Sequence, residues 1–325
     1  MHDNRVDLII VNWNGRKFLP KCLKGVTQQT YRCFSTTLVD NGSTDGSVSF
    51  VAKNYPEVNI IRLENNSGFC FANNIALNAV RAKYVALLNN DAVPHPLWLQ
   101  HLVKSIESKP EAGMVASKML YYDNPNIIDR AGDGYTRAGA GLLRGRGENR
   151  EKFNKQEWVF GACSGAALYR TKMLKDIGFF DERFFLLYED VDLSFRAQIR
   201  GYKCIYVPEA VVYHLTSKTI GYDSSHSVYY GHRNLEWVYI QNMPLCLIWK
   251  TLGHHLLYDL GAFFYFLARG RKKVFIKAKW DAIKGLKSAL RKRKQIQSNK
   301  KVHADYIWNL MDKETYYSRW IRRLK

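Results

Sequence analysis

The sequence of 325 residues has no clustered cysteines, no glycine-rich nucleotide loop and no uncharged apolar run of membrane-spanning length. None of its six cysteines forms a C-x-x-C pair, so neither a zinc site nor a disulfide framework is indicated. The motifs G-x-G-x-x-G and G-x-x-x-x-G-K-[ST] are absent, which argues against a dinucleotide fold of the usual kind and against a P-loop. Charge and asparagine interrupt the first apolar run, so we expect no signal peptide.

Acidic residues are also scarce, because 29 Asp and Glu stand against 49 Lys and Arg, for a net charge of +20. The excess is uneven. Residues 269–325 contain 19 basic and 4 acidic residues, a net charge of +15, and the first 268 residues carry the remaining +5. A near-neutral globular part with a cationic tail suits an anionic membrane surface or nucleic acid as partner.

Short apolar segments alternate with helical patterns over the first 94 residues. The four predicted strands lie in VDLIIVNWNG, STTLVDNGSTDGS, VNIIRLENNSGF and KYVALLNNDAVP. This alternation predicts an α/β fold with a mostly parallel sheet and helices on both faces. Ligands of such sheets lie beyond the carboxyl ends of the strands, and here each of those ends is polar.

The fourth of these segments, Val85–Pro94 (VALLNNDAVP), ends in two amides and a carboxylate, Asn89, Asn90 and Asp91. Without a glycine cradle, a phosphate at this edge needs another source of positive charge. A carboxylate that holds a divalent cation supplies it. Taken alone, the tripeptide fits a turn before Pro94 as well.

Downstream, GDGYTRAGAGLLRGRGENRE is predicted to be an active-site loop or lid. A helix is expected from about Val191 to Arg200 with Gly201 as its stop, followed by two strands, KCIYVP and AVVYHL. Two amphipathic helical segments then follow, Leu245–Leu267 and a Lys/Arg-rich segment from Arg269. We expect both to lie in a membrane interface, because charged residues interrupt each of them. The predicted domains are 1–240, catalytic, and 241–325, helical, basic and membrane-associating.

Four blocks of the chain resemble a known family. LLNNDAVP resembles the metal-binding motif of GT-A glycosyltransferases, usually Asp-x-Asp, although two of its three positions are Asn here. FFDERFFLLYEDVDLSFRAQIRGYKCIYVPEAVVYH resembles the acceptor-side block of family 2 inverting glycosyltransferases. NNSGFCFANN and YGHRNLEWV are typical of the rhamnosyltransferase-like branch, which builds bacterial surface polysaccharides. The resemblance covers roughly Val6 to Val238 and implies a Rossmann-like GT-A fold.

The resemblance also implies roles for individual residues. Asp91 and His214 are the expected ligands of Mg²⁺ or Mn²⁺, and Asp190 is the expected base, with Glu189 orienting the acceptor. Asp192 has Arg196 four residues on and is expected to be structural. The residues expected to bind the nucleotide sugar are Asn12, Asn14, Asp40, Asn65, Gly68, Asn73, Asn90, Ser164, Gly165 and Arg233. His232 and Arg233 could contact the diphosphate of the donor or of a lipid acceptor, or form a solvated basic pair.

The resulting hypothesis is an inverting, metal-dependent glycosyltransferase, peripheral to the cytoplasmic face of the cell membrane. Its expected donor is dTDP-L-rhamnose, with UDP-sugars left open, and its expected acceptor is a polyprenyl-diphosphate-linked saccharide or another glycan. Two alternatives remain from the residues: a nucleic-acid-binding protein that uses the basic tail, and a sugar-nucleotidyltransferase with a similar sheet. No nucleic acid is expected as a partner, because no recognition motif occurs in the sequence.

Overall fold

A computed structural model describes residues 5–215 and 224–313, in which helices cover both faces of a ten-stranded sheet. The sheet strands are β1 (Val6–Asn12), β2 (Phe34–Asn41), β3 (Asn59–Leu63), β4 (Tyr84–Leu88), β5 (Ala92–Pro94), β6 (Ala112–Tyr121), β7 (Ile128–Ala131), β10 (Glu157–Val159), β11 (Ala166–Arg170) and β12 (Lys203–His214). A separate hairpin is formed by β8 (Asp133–Tyr135) and β9 (Gly141–Leu143).

The helices are numbered in chain order, and in the N-terminal part of the chain they alternate with the strands. They are α1 (Leu19–Thr27), α2 (Ser47–Asn54), α3 (Phe69–Ala79), α4 (Trp98–Ser108), α5 (Thr171–Ile177), α6 (Glu189–Ile199), α7 (Ser225–Asn242), α8 (Leu245–Ala268), α9 (Lys272–Lys284), α10 (Leu286–Ser298) and α11 (Ala304–Leu310). The predicted helix before Gly201 corresponds to α6. The four N-terminal strands lie where the apolar segments predict them.

The N-terminal half of the sheet is parallel, as predicted, with the order β3-β2-β1-β4. Alternate side chains of β1 point to opposite faces, so Leu8 and Ile10 enter one apolar core and Ile9 enters the other. The other half is mixed, because β11 lies antiparallel between β4 and β6. Asn12 is paired in register with Asp40, so the polar ends of β1 and β2 meet at one edge.

The two strands predicted over KCIYVP and AVVYHL form one strand, β12, which runs beside β6. The prediction of two separate strands is therefore wrong. Pairing with β6 shifts register between Val207 and Val211, the stretch that contains Pro208. Proline lacks the backbone N–H that a regular ladder uses, and it is tolerated in strands at such bulges. The strand thus continues through the proline and ends at His214.

Three of the helices, α1, α2 and α4, pack on one face of the sheet, and α3, α5 and α6 pack on the other. The C-terminal helices add to the core on the face covered by α3, α5 and α6. To this core α7 contributes Trp237 and Val238, and α10 contributes Ala289. The domain boundary predicted at residue 240 falls within α7. The division into two domains stays a prediction, and residues 314–325 of the second one lie outside the described part of the chain.

The C-terminal helices expose an unusual amount of apolar surface. Of the fifteen large hydrophobic residues that are exposed in the described ranges, twelve lie between residues 245 and 290. On α8 the exposed side chains include Trp249 and Leu257, whereas Thr251 and His255 are buried against the rest of the protein. Between residues 5 and 313, leaving aside 216–223, no helix has both the length and the apolarity that crossing a bilayer requires.

Candidate active site at the carboxyl ends of the strands

Asp91 and His214 come together although they are far apart in sequence. Strand β5 begins directly after Asp91 and pairs with the end of β12, so that His214 lies opposite Ala92. The imidazole Nε2 is 3.3 Å from Oδ1 of Asp91, and Nδ1 is 2.9 Å from Oδ2 of Asp129. Arg146 forms an ion pair with the other oxygen of Asp129.

Hydrogen bonds and ion pairs favour the charged forms of His214 and Asp129. Burial disfavours the imidazolium form of His214, but its hydrogen bonds to Asp129 and Asp91 raise its pKa to about 9. Burial also opposes ionisation of Asp129, yet the hydrogen bond from His214 and the charge of Arg146 hold the pKa of that carboxyl below its usual range. Two carboxylates thus face one imidazole in a largely buried position.

A second group of acids surrounds Arg130, which follows Asp129 in the chain. Its Nη1 lies 3.2 Å from Oδ1 of Asp133 and 3.4 Å from Oδ2 of Asp190. Ligand atoms of Asp133, Asp190 and Cys163 all lie within 4.8 Å of one another. Asp129 and Arg130 are consecutive residues of β7, and the charge of Arg130 also lowers the pKa of Asp129, so the two groups interact electrostatically. We call the two groups together the charged network.

Two acids of this network have raised pKa values, which favours their protonated forms. Burial and then the nearby charge of Asp190 raise the pKa of Glu189 to about 8. Burial raises the pKa of Asp133 to about 7, with Arg130 opposing the rise and Asp190 adding to it. The Oε2 atom of Glu189 is buried and has no hydrogen-bond partner in the described ranges. A protonated Glu189 can therefore donate a hydrogen bond to a ligand.

The backbone before α6 is strained, because Phe185, Leu187 and Tyr188 have φ angles of 64°, 66° and 70°. Non-glycine residues in this region each cost roughly 1–3 kcal/mol and persist where other contacts hold them. Asn234 of α7 supplies such contacts, since its Nδ2 donates to the carbonyls of Phe184, Leu186 and Leu187 at 2.7–3.0 Å. We name residues 184–188 the catalytic loop after the predicted catalytic residues, Glu189 and Asp190, that directly follow it.

Arg233 also binds the catalytic loop. Its Nη2 donates to the carbonyls of Arg183 and Phe184 at 2.8 and 3.1 Å, and its guanidinium lies 4.4 Å from the ring centroid of Trp237. His232, its neighbour, is buried among aromatic rings. The solvated basic pair that the sequence left open is therefore not formed. Contact of Arg233 with a nucleotide sugar stays a prediction.

Gly68 connects the N-terminus of α3 to the same loop. A Cβ atom at this position would lie 2.5 Å from the Phe185 ring and 2.8 Å from the Phe185 carbonyl oxygen. The φ of Gly68 is 87°, and the Phe69 N–H donates to that carbonyl at 2.7 Å. The close approach that the glycine permits is thus an approach to the catalytic loop. Contact with a ligand stays a prediction.

The ends of β1, β2 and β4 share a hydrogen-bond network. Asn12 donates to Asp40 at 3.2 Å and to Ser43 at 3.1 Å, and it accepts from Asn90 at 2.8 Å. Asn14 has φ 48° and accepts from the Thr44 N–H at 2.9 Å. Four of the residues predicted to bind the nucleotide sugar are therefore brought together, and these hydrogen bonds fix their side chains.

The other residues predicted to bind the nucleotide sugar differ in their surroundings. Asn65 is exposed, whereas Asn73 is buried and donates to the carbonyl of Phe69 in its own helix at 2.9 Å. Ser164 is buried and shares a 3.1 Å hydrogen bond with the Tyr169 hydroxyl. A Cβ atom on Gly165 would lie 2.9 Å from Nδ2 of Asn89, so this glycine permits close packing against the predicted metal motif. Their roles toward a ligand stay predictions.

Asp192 is fully buried and does not face the acids around Arg130. Its carboxylate accepts from Arg196 at 2.8 Å and from the amides of Gln241 and Asn242 at 2.6 and 2.7 Å. The helical spacing of Asp192 and Arg196 predicted this ion pair. Sequence reasoning missed four charged residues of the site: Asp129, Arg130, Asp133 and Arg146. They lie in or next to the predicted active-site loop, but no motif singled them out.

Comparisons with known proteins identify the family and support the fold. The family model described as glycosyl transferase family 2 matches residues 7–178, a little over half of the chain. An N-acetylglucosaminyl-diphospho-decaprenol L-rhamnosyltransferase of Mycobacterium tuberculosis is 26% identical over 260 residues, covering 70% of this chain and 81% of that protein. The O-antigen biosynthesis protein RfbC of Myxococcus xanthus is 28% identical over 222 residues, which is 63% of this chain but only 17% of that protein.

Solved structures show the same fold at low sequence identity. A mannosyltransferase from Pyrobaculum calidifontis, in complex with GDP-Man and Mn²⁺, has a TM-score of 0.57 at 19% identity and covers 95% of this chain and 88% of its own. GalNAc-T7 with UDP, GalNAc and Mn²⁺ has a TM-score of 0.63 at 15% identity, covering 84% and 54%. These similarities support the GT-A fold that the sequence predicts.

Removal of the amide that holds the catalytic loop should impair catalysis more than stability. We expect Asn234→Ala to lower kcat by about a hundredfold, because small misplacements of reacting groups can cost that much. Steady-state kinetics measures this, and thermal unfolding confirms that the variant is folded. Asn54→Ala is the control, since Asn54 is an exposed helical asparagine with one main-chain hydrogen bond. An unchanged kcat in folded Asn234→Ala would contradict the role assigned to this residue.

Proposed function

Because the chain belongs to glycosyl transferase family 2, we propose that it is an inverting, metal-dependent enzyme that transfers L-rhamnose from dTDP-L-rhamnose to a polyprenyl-diphosphate-linked saccharide. The observation that carries the proposal is the network joining Asp91 and His214 to Asp190. It supplies a candidate cation site and a candidate base at one edge of one sheet. Direct displacement of a nucleoside diphosphate needs both of these.

The mycobacterial relative supports the choice of donor and acceptor. Its name specifies an L-rhamnosyl group and an N-acetylglucosaminyl-diphospho-decaprenol acceptor, and this chain covers most of its length. We therefore take N-acetylglucosaminyl diphosphate on a polyprenyl chain as the acceptor to test first. UDP-sugars are the second candidate donors, because the hydrogen bonds around Asp40 do not by themselves select one nucleotide.

The donor atoms at Asp91 and His214 fit a divalent cation. A carboxylate oxygen and an imidazole nitrogen face each other, and the other ring nitrogen is hydrogen-bonded to Asp129. Because the pKa of His214 is raised, a cation that binds Nε2 would have to displace the proton from this nitrogen. Metal-bound histidines usually have such a carboxylate behind them, since it fixes the ring orientation and raises its basicity. Mg²⁺ or Mn²⁺ bound here would neutralise charge on the departing diphosphate.

The acids around Arg130 would act on the acceptor. The carboxylate of Asp190, held by Arg130 at 3.4 Å, accepts the proton of the attacking hydroxyl group. Glu189, protonated near neutral pH because of burial and the charge of Asp190, donates a hydrogen bond that orients the acceptor. Attack on the face of the sugar opposite the diphosphate inverts the anomeric configuration. The cost of holding these acids together is reduced by Arg130.

A membrane surface is the proposed location, on the cytoplasmic face. The exposed apolar side chains of α8 and α9, with Trp249 and Trp280 among them, are accompanied by exposed lysines such as Lys273 and Lys284. Aromatic and aliphatic residues beside cationic ones are typical of segments that lie in the headgroup region of an anionic bilayer. A lipid-linked acceptor requires its enzyme at this surface.

Loss of the proposed base should abolish transfer without loss of the donor. We expect Asp190→Asn to lower transfer from radiolabelled dTDP-L-rhamnose to the lipid-linked acceptor by at least about a thousandfold, since proton transfer contributes about 10²–10⁴-fold. Donor binding by calorimetry should remain unchanged. Asp176→Asn is the control, because Asp176 forms an ion pair with Arg200 outside the network. Full transfer activity in Asp190→Asn would refute the assignment of Asp190 as the base. If folded wild-type protein transfers sugar from no sugar nucleotide, the proposed enzymatic activity is refuted.

The dependence of the transfer rate on Mn²⁺ should change when Asp129, which is hydrogen-bonded to His214, is substituted. We expect Asp129→Asn to raise the half-saturating Mn²⁺ concentration by about ten- to hundredfold, the usual effect of altering a carboxylate that is hydrogen-bonded to a metal-binding histidine. Asp91→Ala should abolish the response to Mn²⁺. The measurement is transfer rate against Mn²⁺ concentration at fixed donor. If Asp129→Asn has the same half-saturating Mn²⁺ concentration as wild type, the cation binds elsewhere. The acids around Arg130 would then be the next candidate for its site.

Binding to anionic vesicles should depend on the exposed tryptophans of the C-terminal helices. We expect Trp249→Glu with Trp280→Glu to reduce flotation with phosphatidylglycerol vesicles at least about tenfold, because each change replaces apolar contact by a repelled charge. Trp158→Glu is the matched control, since Trp158 is 38% exposed on the edge strand β10. DNA retardation is measured in parallel. Unchanged flotation of the double variant would favour the nucleic-acid alternative. So would a wild-type protein that retards DNA but does not float with vesicles.

A further inference from the structure

The turn of the β8–β9 hairpin is packed between the candidate site and the C-terminal helices. It lies in the segment that the sequence predicts to be an active-site loop or lid, yet all of residues 136–140 except Arg137 are buried. A buried turn would open only by exposing apolar surface and main-chain polar groups that are now paired. The hairpin is therefore a fixed part of the framework around the site.

On its inner side the hairpin approaches the proposed base. Asp133, its first residue, has a carboxylate oxygen within 4.8 Å of one of Asp190. In the opposite strand, the Gly141 N–H donates to the Tyr188 hydroxyl at 3.3 Å, and a Cβ atom on Gly141 would lie 3.1 Å from a methyl group of Val191. The second strand thus packs directly against the last residue of the catalytic loop and the first turn of α6.

On its outer side the turn contacts His255 of α8. Nδ1 of the imidazole lies 2.8 Å from the Ala138 carbonyl oxygen, and Nε2 lies 3.0 Å from Oε2 of Glu236. The ring also stacks on Tyr239, with 4.0 Å between the ring centroids. Gly139 has φ 83°, and a Cβ atom on it would lie 2.9 Å from Nδ1 and 2.6 Å from the Tyr239 ring. The glycine therefore permits the turn to reach the imidazole.

Both partners of the His255 ring are acceptors. A carbonyl oxygen and a carboxylate oxygen can only accept, so both contacts are hydrogen bonds only when both ring nitrogens carry protons. Burial opposes this charge, but the hydrogen bond to Glu236 and its negative charge raise the pKa of His255 above its usual value. Lys279 contacts the carboxylates of both Glu236 and Asp259, which balances the remaining charge of the group. The imidazolium form therefore holds the turn to α7 and α8.

The first strand of the hairpin has a separate attachment to α11. The guanidinium of Arg137 lies 3.8 Å from the ring centroid of Trp308, and the Asp312 N–H donates to the Tyr135 carbonyl at 2.8 Å. Loss of the His255 contact would leave these interactions in place. It would release the other side of the turn, which leads to Gly141.

We propose that His255 is a positioning residue of the transfer reaction. Its hydrogen bond to the Ala138 carbonyl fixes the hairpin turn, and the contact of Gly141 with Tyr188 carries this constraint to the start of α6, where Asp190 lies. The proposal rests on the proposed function, because Asp190 is the base of that reaction. The histidine acts only through the hairpin.

Two substitutions of His255 separate its two hydrogen bonds. The side-chain amide nitrogen of asparagine lies near the position of the imidazole Nδ1, and that of glutamine lies near the position of Nε2. His255→Asn therefore keeps a donor for the Ala138 carbonyl, whereas His255→Gln keeps a donor for Glu236. Each variant loses one hydrogen bond and the stacking on Tyr239, so we expect similar losses of thermal stability.

Transfer to N-acetylglucosaminyl diphosphate on a farnesyl chain is then measured for both variants. We expect kcat to fall about tenfold or more in His255→Gln and less than about threefold in His255→Asn, because a small misplacement of reacting groups can cost up to about a hundredfold. The donor KM should be unchanged in both. His254→Gln is the control, since His254 is the exposed neighbour on α8. Equal losses of kcat in the two variants, or an unchanged kcat in His255→Gln, would overturn the positioning role.

A substitution on the turn tests the same contact without altering the imidazole, and it decides the matter if the His255 variants do not fold. Gly139→Ala places a methyl group 2.9 Å from Nδ1 of His255, so the turn and the ring must separate. Gly201→Ala is the matched control, because Gly201 has φ 89° and its Cβ would lie 3.9 Å from the nearest atom, in Val302. Both variants carry the strain of a left-handed alanine. We expect kcat to fall in Gly139→Ala alone, and similar values of kcat in the two variants would overturn the proposal.

Amide hydrogen exchange measures the coupling independently of the reaction. We expect His255→Gln to speed exchange in residues 136–141 and in residues 188–193, with His255→Asn close to wild type. Faster exchange in residues 136–141 alone, or in neither segment, would overturn the coupling of the hairpin to the base. If wild-type protein transfers no sugar but exchange changes as expected, the proposed function fails and the coupling stands.

Discussion

The ion pairs of Arg130 with Asp133 and Asp190 are the interactions on which the candidate site depends. Buried carboxylates in one small space repel one another, and each would otherwise take up a proton or move apart. The guanidinium offsets part of this repulsion and orients Asp190 at 3.4 Å. Its neighbour Asp129 turns the other way, toward His214. Two consecutive residues of β7 thus connect the proposed cation site to the proposed base, which keeps both at one edge of the sheet.

Helix α7 attaches this site to the C-terminal helices. Asn234 holds the strained catalytic loop, and two residues later Glu236 accepts a hydrogen bond from His255 of α8 at 3.0 Å. The other nitrogen of His255 lies 2.8 Å from the Ala138 carbonyl oxygen, in the turn between β8 and β9. Lys279 of α9 pairs with Glu236 as well. A displacement of α8 or α9 would therefore also shift the catalytic loop and the hairpin that begins with Asp133.

Much of the framework could be predicted from the sequence, because apolar strands and helical periodicity are local signals. The polar ends of β1 and β2, and the ion pair of Asp192 with Arg196, followed from spacing alone. Asp129 and Arg130 could not be found in this way, since their partners come from distant segments and nothing in the surrounding Gly/Arg loop singles them out. The YGHRN block illustrates the same limit, because its Arg233 and Asn234 bind main-chain carbonyls, which leave no trace in the sequence.

The sequence also left open which face of α8 contacts the rest of the protein. Periodicity shows that the polar residues of this helix share one half of its circumference, but it does not show which half contacts the protein. In a soluble helix the polar half usually faces water. Here Thr251 and His255 are buried, because Tyr239 and Glu236 of α7 supply their hydrogen-bond partners. The apolar half is consequently left outside, where water is an unfavourable solvent for it. The proposed contact with lipid would cover this apolar surface, and a lipid-linked acceptor would bring its sugar to that same surface.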